Sequence, residues 1–322
     1  MTSDDRTSVL VLTNSLDVTA DVVLRVLAGR GVPVVRLDPG TDLHEGTSLT
    51  TRYRTTGQRG TLRTPTRRLD LTRVRSVWMR RASPYEGPAQ LDGQERRFAA
   101  AQLLWGTGGV LASLPGAHYV NHPWANRAAE YKPAQLAAAQ RNGFRVPDTL
   151  ITNELGAAQE FVAGQVTGAV YKPLWNIAYE VAGRPRQVWV RDVRAGELTA
   201  GVEVCPHLFQ AKVAKAFDVR LTAVGDRAFA VRIDSPDLDW RRRQDLMACA
   251  PVAVPEEVSR AVTSYLGELR LVYGAFDFAV TAAGEWYFLE CNPNGQWAWQ
   301  PPETTDAIAQ AIADQLQRGP DA

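Results

Sequence analysis

The stretch at residues 273–299 constrains the fold of this chain more than any other. Two apolar, β-prone runs within it flank an Ala-Ala-Gly-Glu segment that supplies a turn glycine, so the pattern predicts a β-hairpin. Asp277 begins one strand, and Glu290 and Asn292 end the other. Two carboxylates and a carboxamide on adjacent strands are hard oxygen donors that suit Mg²⁺. The spacing alone equally allows Asp277 and Glu290 to be solvent-facing acids at the hairpin ends.

Composition narrows the class of protein. The chain has 322 residues, 45% hydrophobic and 22% charged, which is enough for the cores of two or three small domains. The 36 lysines and arginines against 35 acids favour neither nucleic acid nor a membrane as partner. Three widely spaced cysteines argue against a disulfide framework and fit a reducing compartment. No leader pattern opens the chain, and its longest weakly polar run is too short to cross a bilayer, so we expect a cytoplasmic protein.

The first residues predict a βαβ unit with parallel strands. Residues 8–13 form a continuous apolar run, an amphipathic helix follows at 17–28, and a second strand follows at 33–37. No Gly-x-Gly-x-x-Gly lies between the first strand and the helix, so we expect no dinucleotide site there. A later helix, at 94–114, ends at Pro-Gly, and the first domain is expected to close at residue 117.

An arginine-rich segment spans residues 52–81, with ten arginines and one acid, Asp70. It includes a predicted exposed hairpin at 48–65 and a strand at 74–80. Such a patch is either a solvated face or a docking surface for an acidic partner. The residues that would contact such a partner are Arg63, Arg67, Arg68, Arg80 and Arg81.

The rest of the chain predicts two further units, at 118–208 and 209–322. In the first, residues 176–201 read as a long hairpin excursion with a strand at 187–193, the kind of segment that forms a lid or a peptide-binding edge. In the second, two β-prone runs on either side of Gly225-Asp226 predict an antiparallel hairpin.

Several basic residues are candidates for binding phosphate. Lys132 and Lys172 each precede a proline, and a lysine at a strand end can hold phosphate as a point charge, although most lysines only solvate the surface. Asp218 and Arg220 share one face of a strand because they lie two residues apart. With the turn centred on Gly225-Asp226, Arg232 is predicted on that face, where two guanidinium groups could grip a phosphate or an acyl phosphate. A simple cross-strand pair of Asp218 with an arginine is the alternative.

These residues occur in the order seen in ATP-grasp ligases. The final Glu-Cys-Asn-Pro-Asn-Gly-Gln-Trp resembles the ending of the ATP-grasp ribosomal peptide maturases, the graspetide or microviridin-type macrocyclases. The resemblance covers nearly the whole chain from Ser8. It implies an α/β (α+β) ATP-grasp fold, in which an N-terminal βαβ pre-grasp domain (1–117) precedes two antiparallel-sheet lobes (118–208 and 209–322) that enclose the nucleotide.

The resemblance also implies roles for the candidate residues. Lys132 and Lys172 would contact the phosphates, and Gln210 with the backbone near Lys212 and Val213 would meet the adenine. The metal would be held by Asp277, Glu290 and Asn292. Arg220 and Arg232 would clamp the transferred phosphoryl group and the carboxylate. Asp218 would orient or deprotonate the nucleophile, as a weak base, because a carboxylate beside Arg220 tends toward a lowered pKa.

Two features depart from the family pattern. Residues 174–183 are poor in glycine, whereas many ATP-grasp enzymes cover the phosphates with a glycine-rich loop, so the covering segment is unidentified. Cys291 lies within the acidic set, but a soft thiolate does not suit Mg²⁺, and its side chain is expected on the other face of the strand.

The implied reaction uses ATP and Mg²⁺ to activate Asp or Glu side chains of a ribosomal precursor peptide, which consists of a leader and an acidic core, as acyl phosphates. Ser or Thr hydroxyls or Lys amines of the same peptide would then close ester or amide rings. The alternatives are a small-molecule carboxylate–amine ligase of the glutathione-synthetase or glutamate-ligase type, and a non-catalytic nucleotide-binding regulator. The sequence leaves a homodimer open and favours neither nucleic acid nor membrane as partner.

Overall fold

The computed structural model describes residues 7–176 and 179–318. Within these ranges, no helix is both long and apolar enough to cross a bilayer. The N-terminal part is built on a parallel sheet with the strand order β2-β1-β6-β7. Its strands are β1 (Ser8–Leu12), β2 (Val34–Leu37), β6 (Val74–Met79) and β7 (His118–Val120). The predicted βαβ opening is present, with α1 (Val18–Gly29) as the crossover helix and Asp17 as its N-cap.

The arginine-rich segment forms a separate antiparallel sheet of three strands, in the order β3-β4-β5. These strands are β3 (Ser48–Arg54), β4 (Gly57–Arg63) and β5 (Arg68–Asp70). Leu62 and Leu69 pack under this sheet against Leu10 and Leu12 of β1, which anchors its inner face. Two helices follow, α2 (Gly93–Gln102) and α3 (Gly109–Leu111), joined by a π-helical segment.

The central part contains a four-stranded sheet with the order β12-β9-β13-β8. Its strands are β8 (Thr149–Thr152), β9 (Ala169–Lys172), β12 (Arg191–Val193) and β13 (His207–Ala211). Helix α6 (Leu155–Gly164) covers one face through Ala158 and Val162. A separate two-stranded ribbon, β10 (Tyr179–Val181) and β11 (Arg184–Arg186), lies between β9 and β12 along the chain. The predicted excursion is therefore a hairpin, but its predicted strand at 187–193 is reduced to β12, and residues 177 and 178 lie outside the described residues.

The C-terminal part is a five-stranded antiparallel sheet in the order β16-β15-β14-β17-β18. Its strands are β14 (Lys215–Val224), β15 (Arg227–Asp234), β16 (Ala248–Pro251), β17 (Tyr273–Thr281) and β18 (Trp286–Asn292). Helices α5 (Lys132–Arg141) and α7 (Glu256–Glu268) pack on one face, and the short α4 (Pro123–Ala129) precedes α5. Phe144, Tyr265 and Phe276 belong to the aromatic core on that face. The predicted hairpin at 273–299 is β17 and β18.

The last helix, α8 (Pro302–Arg318), joins the two ends of the chain. Ile308 and Ile312 are fully buried with Val9 of β1 and Leu27 of α1 in one apolar cluster. The predicted domain boundaries do not follow the sheets: the boundary after residue 117 leaves out β7, and the boundary after residue 208 divides β13. Helix α5, which was predicted in the central unit, packs on the C-terminal sheet.

Candidate active site

A cleft of about 380 Å³ lies between the central sheet and the C-terminal sheet. One wall carries Lys172 and Gln210, from β9 and β13. The other wall carries Asp218 and Asp277 of the C-terminal sheet, and Lys132 lies at the start of α5. The structure therefore brings into one cavity most of the residues that the sequence singled out.

The three predicted metal ligands share one face of the β17–β18 hairpin. Asp277 pairs with Glu290 and Ala275 with Asn292 in the ladder, so the three side chains project toward the cleft. A register shift makes Leu289 an extra residue of β18, since Phe278 pairs with Phe288. This β-bulge keeps Phe288 in the core while it turns Glu290 to the cleft.

Cys291 lies on the opposite face, as predicted. It is 1% exposed and belongs to the apolar cluster beneath α7. Burial raises the pKa of its thiol well above the usual range. The thiol is therefore a packing group, and we infer no ligand role for it.

Lys132 and Arg241 both contact the acidic pair. Lys132 Nζ lies 2.5 Å from Glu290 Oε2, and Arg241 Nη2 donates to Glu290 Oε1 at 2.8 Å and also to Asp277 Oδ2. Burial raises the pKa of Asp277, and Arg220 and Arg241 oppose this shift. Burial acts in the same direction on Glu290, but the charges of Lys132 and Arg241 outweigh it and hold the pKa of Glu290 well below its usual range.

The sequence did not single out Arg241. It follows β15 in a loop, in the run Asp239-Trp240-Arg241, and nothing in that spacing shows where the loop runs. The buried ring of Trp240 lies 4.7 Å from the Arg241 guanidinium carbon and 5.3 Å from that of Arg220. Trp240 thereby supports both guanidinium groups through cation–π contacts. The signal that could have found it is an aromatic residue beside an arginine in a loop between two strands of this sheet.

Arg220 and Asp218 lie on the cleft-facing side of β14. The buried Arg220 places Nε 3.3 Å from Asp277 Oδ1 and donates from Nη1 to the carbonyl of Ala275 at 3.4 Å. Asp218 pairs with Lys215, whose Nζ lies 2.5 Å from Asp218 Oδ2. Burial raises the pKa of Asp218 to about 6, and Lys215 opposes this shift. The prediction that Arg220 lowers the pKa of Asp218 is thus wrong, because desolvation is the larger effect.

The predicted common face for Arg220 and Arg232 is also wrong. Val219 pairs with Arg232 and Arg220 with Val231, so Arg232 projects from the opposite face of the sheet. Its guanidinium is a surface group that pairs with Asp234 at 2.7 Å and lies over the Phe217 ring. Arg232 therefore cannot act together with Arg220 as a clamp in this cleft.

The tail of the hairpin packs tightly against Arg220. A β-carbon at Gly295 would lie 2.4 Å from the Ala275 Cβ and 3.2 Å from Arg220 Nη1, so only glycine allows this approach. Two residues later the fully buried Trp297 anchors the tail, and the Trp299 ring lies 4.9 Å from that of Trp240.

The central sheet supplies a lysine and an amide to the cleft. The buried Lys172 donates to Gln210 Oε1 at 3.3 Å, and Gln210 donates to Thr149 Oγ1 at 2.9 Å. Burial lowers the pKa of Lys172 to about 8, although the charge of Glu290 opposes this shift. A lysine that is partly desolvated in this way responds strongly to a nearby anion.

The main chain predicted to meet adenine is partly engaged already. The N–H of Lys212 donates to the carbonyl of Gly168 at 2.9 Å, and its carbonyl accepts from Thr167 Oγ1 at 2.5 Å. The carbonyl of Val213 accepts from the N–H of Lys215 at 2.8 Å. Both Lys212 and Val213 line the cleft, but the N–H of Lys212 is not available to an adenine ring.

The ribbon β10–β11 is connected to the cleft at both of its ends. The segments that enter and leave it both line the cavity, Pro173 to Asn176 on one side and Gln187 to Val190 on the other. The ribbon therefore adjoins the cleft within the excursion for which the sequence predicted a lid or a peptide-binding edge.

The predicted substrate-binding arginines do not form one group. Arg80 is 5% exposed, lies 3.4 Å from Asp17, and donates to the carbonyls of Asn294 and Gly295, so it holds the hairpin tail instead of facing a partner. Arg81 is exposed near the same strand end.

The other three arginines lie on the three-stranded sheet or in the turn between β4 and β5. Arg63 and Arg68 are exposed and directly opposite each other, while Arg67 donates to the carbonyl of Val34 at 2.6 Å. Arg52 and Arg59 face each other in the same way. None of these five is among the described residues that line the cleft. The basic sheet is therefore a surface distinct from the cleft.

Comparison with known proteins agrees with this geometry. Residues 8–127 match the family model described as the MvdD pre-ATP grasp domain. The structure is similar to a Chryseobacterium gregarium RiPP-associated ATP-grasp ligase in complex with ADP, and a leader and core peptide. The two share 26% identity over 97% of this chain and 96% of that chain, with a TM-score of 0.87. No curated protein sequence matches.

Two macrocyclases from Microcystis aeruginosa MRC are also similar. MdnC, solved with its precursor peptide MdnA, is 26% identical over 97% of this chain and 99% of its own, with a TM-score of 0.84. MdnB is 30% identical over 97% of this chain and all of its own, with a TM-score of 0.80. The likeness thus extends over the full length of these proteins.

Proposed function

The chain belongs to the ATP-grasp ribosomal peptide maturases, as its sequence predicted, and we propose on this basis a reaction for its cleft. It is an ADP-forming ligase that activates Asp or Glu side chains of a ribosomal precursor peptide and closes ester or amide rings with Ser, Thr or Lys side chains. The observation that carries the proposal is the convergence of Lys132, Lys172, Asp277 and Glu290 in one cleft between two antiparallel sheets, with the buried Arg220 paired to Asp277.

The acidic pair suits Mg²⁺. Asp277 Oδ1 is buried and has no hydrogen-bond partner among the described residues, and it lies on the same face as the Glu290 carboxylate. Asn292 Oδ1 accepts from the N–H of Asn294 at 2.9 Å and keeps a second lone pair. These are the hard oxygen donors that Mg²⁺ prefers. When bound, the ion neutralises charge on the phosphate oxygens.

The basic side chains of the cleft fit a substrate that carries phosphate. Lys172 is the candidate for holding phosphate from the central sheet, and Lys132 from the start of α5. Gln210, Lys212 and Val213 line the adjoining part of the cleft and are proposed to contact the adenine end. Such an arrangement accelerates phosphoryl transfer by positioning and charge neutralisation.

Arg220 is the candidate clamp for the carboxylate and the transferred phosphoryl group. Its buried guanidinium is held against Asp277 and the ring of Trp240, so its orientation is set before any substrate binds. Attack of the carboxylate oxygen on the γ-phosphorus releases ADP and gives an acyl phosphate. A hydroxyl or amine of the peptide then attacks the acyl carbon, and phosphate leaves.

Asp218 is the candidate base for the second step. Its pKa of about 6 means that it is mostly ionised at neutral pH, yet it is far more basic than an ordinary aspartate. Lys215, which lies beside it, can stabilise the ionised form. We place the abstracted proton on the Asp218 carboxylate.

The peptide must reach the cleft from outside, and exposed arginines are candidates to receive an acidic segment. Arg81 lies near the strand end beside the hairpin tail, and Arg63 and Arg68 lie on the basic sheet.

All three cysteines are free, which fits an enzyme that works in the cytoplasm.

The test uses the purified chain with a precursor peptide that carries repeated Ser or Thr and Asp or Glu residues, together with ATP and Mg²⁺. We expect a mass loss of one water for each ring and an equal amount of ADP. Glu290→Gln should abolish both products, and Arg242→Ala, a change at an exposed neighbour of the site, should keep both. Ligation of small carboxylates and amines without any change in the peptide would instead identify a small-molecule ligase.

A further inference from the structure

Arg241 fills the position between the two acids of the proposed metal site. Its Nη2 donates to Glu290 Oε1 at 2.8 Å and to Asp277 Oδ2, and its Nη1 donates to Asp239 Oδ1 at 3.2 Å. A guanidinium stays protonated in proteins, so the charge that Arg241 brings to this position is permanent. One guanidinium therefore bridges the carboxylates that a divalent cation would also need.

We propose that Arg241 is the resident counter-ion of the Asp277–Glu290 pair and that a divalent cation enters only when this guanidinium leaves. The inference rests on the proposed metal role of the two acids and adds an order of events. The cation binds together with the nucleotide, because the phosphates offer the displaced guanidinium a new anionic partner.

Electrostatics makes the two occupants exclusive. A cation that contacts both carboxylates at about 2.0 to 2.1 Å occupies the space between them, where Arg241 Nη2 now donates to one oxygen of each acid. Two positive charges at one carboxylate pair also repel each other strongly in a partly buried site. Lys132 does not interfere in the same way, since it contacts the other oxygen of Glu290, Oε2.

The surrounding loop allows the side chain to move while its support stays in place. Trp240 is 4% exposed and packs against Trp299, so the platform beneath the guanidinium is fixed. Arg243 is tied to Asp237 by two hydrogen bonds of 2.7 and 2.9 Å, which anchors the loop beyond Arg241. The Arg241 side chain is itself 30% exposed, whereas that of Asp277 is 4% exposed. The arginine therefore has a path to solvent, which the buried Asp277 lacks.

The experiment measures Mn²⁺ binding without nucleotide, from the electron paramagnetic resonance signal of free Mn²⁺, in the wild type, Arg241→Ala and Arg242→Ala. We expect Arg241→Ala to bind Mn²⁺ at least about tenfold more tightly than the wild type, which corresponds to ~1.4 kcal/mol. Arg242→Ala is the matched control, because it removes one charge from the same loop without touching either acid, and it should bind like the wild type.

A second measurement guards against misfolding. Removal of Arg241 leaves the two acids with one counter-ion fewer, so the thermal midpoint of Arg241→Ala should be lower than that of the wild type and should recover when Mn²⁺ is added. The wild-type midpoint should change little. Arg241→Lys keeps the charge and should keep the weak Mn²⁺ binding of the wild type.

Two results would overturn the inference in different ways. Equal Mn²⁺ affinity in Arg241→Ala and the wild type, with tight Mn²⁺ binding to both once ADP is present, would show that Arg241 does not compete, and the proposed metal site would stand. Absence of Mn²⁺ binding even with ADP, or binding that survives Glu290→Gln, would remove the metal site itself and the inference with it.

Discussion

At the scale of single residues, Lys172 gives the cleft a pH dependence. Burial lowers its pKa to about 8, so the free enzyme carries this charge below pH 8 and loses it above. Phosphate binding favours the charged form, and the affinity for ATP should therefore fall as pH rises through 8. Calorimetry with a non-hydrolysable ATP analogue between pH 7 and 9.5 measures this, with a loss of up to roughly tenfold per pH unit expected above 8.

Lys172→Arg is the control for this prediction. The guanidinium keeps its charge over the whole range, so the affinity of the variant should show a much smaller decline. A wild-type affinity that stays constant from pH 7 to 9.5 would mean that Lys172 does not contact the phosphates.

The two arginines that were predicted to act together should behave differently. Arg220 is buried beside Asp277, while Arg232 pairs with Asp234 on the opposite face of the sheet. Arg220→Ala should lower kcat by on the order of 10²-fold, as loss of a preorganised charge does, and Arg232→Ala should leave kcat within about twofold. The rate of ring formation under saturating peptide and ATP measures both. A large loss of kcat in Arg232→Ala would instead support the prediction that Arg232 and Arg220 act together as a clamp.

The face of the sheet on which Arg232 lies could have been predicted from the sequence. The turn at Gly225-Asp226 was predicted correctly, and it pairs Val224 with Arg227. Each step back along β14 then matches one step forward along β15, which puts Arg220 opposite Val231 and leaves Arg232 on the other face. A register shift of one residue turns every side chain of a strand to the other face of the sheet. The predicted face of a residue can therefore be wrong even when the turn is predicted correctly.

At the scale of elements, the local sequence pattern predicted the βαβ opening and the β17–β18 hairpin. It did not predict the features that depend on how distant segments of the chain run past one another. The bulge at Leu289 is one, because strict alternation from Phe288 would turn Glu290 into the core. The reach of Arg241 is another, because it depends on the course of an irregular loop. The burial of Asp218 is a third: its raised pKa reflects desolvation by surrounding elements.

The ribbon β10–β11 is the element whose function is most open to test. Both of its connections line the cleft, so closure over bound nucleotide would exclude water from the acyl phosphate. Replacement of residues 179–186 by a short Gly-Ser linker should lower ring formation and raise the ratio of phosphate released to rings closed. Phosphate release and peptide mass, followed in the same reaction, give this ratio.

A matched control changes the turn of a different hairpin without changing its length. The β3–β4 turn at Thr55 and Thr56 is exposed and belongs to the basic sheet, which does not line the cleft. Its replacement by Asn-Gly should leave the ratio of phosphate to rings unchanged. An unchanged ratio in the β10–β11 variant as well would show that the ribbon does not exclude water.

At the scale of the whole molecule, α8 links the N-terminal sheet to the lobe that carries the acids. The helix buries Ile312 among residues of α1, β1 and β17, and Leu316 accepts a hydrogen bond from Ser76 Oγ of β6 at 2.6 Å. Asp314 on the same helix pairs with Arg30 and Arg227, each at a distance of 2.7 or 2.8 Å. The two kinds of contact contribute very different free energies of unfolding.

Packing should outweigh the ion pairs. Ile312→Ala deletes fully buried atoms and is expected to cost about 2–5 kcal/mol, whereas Asp314→Ala removes two partly exposed pairs worth about 0–1 kcal/mol each. Urea unfolding, followed by far-UV circular dichroism, measures both. Because the apolar cluster spans both ends of the chain, Ile312→Ala should shift one cooperative transition; two separate transitions would mean that the N-terminal sheet and the acid-bearing lobe unfold independently.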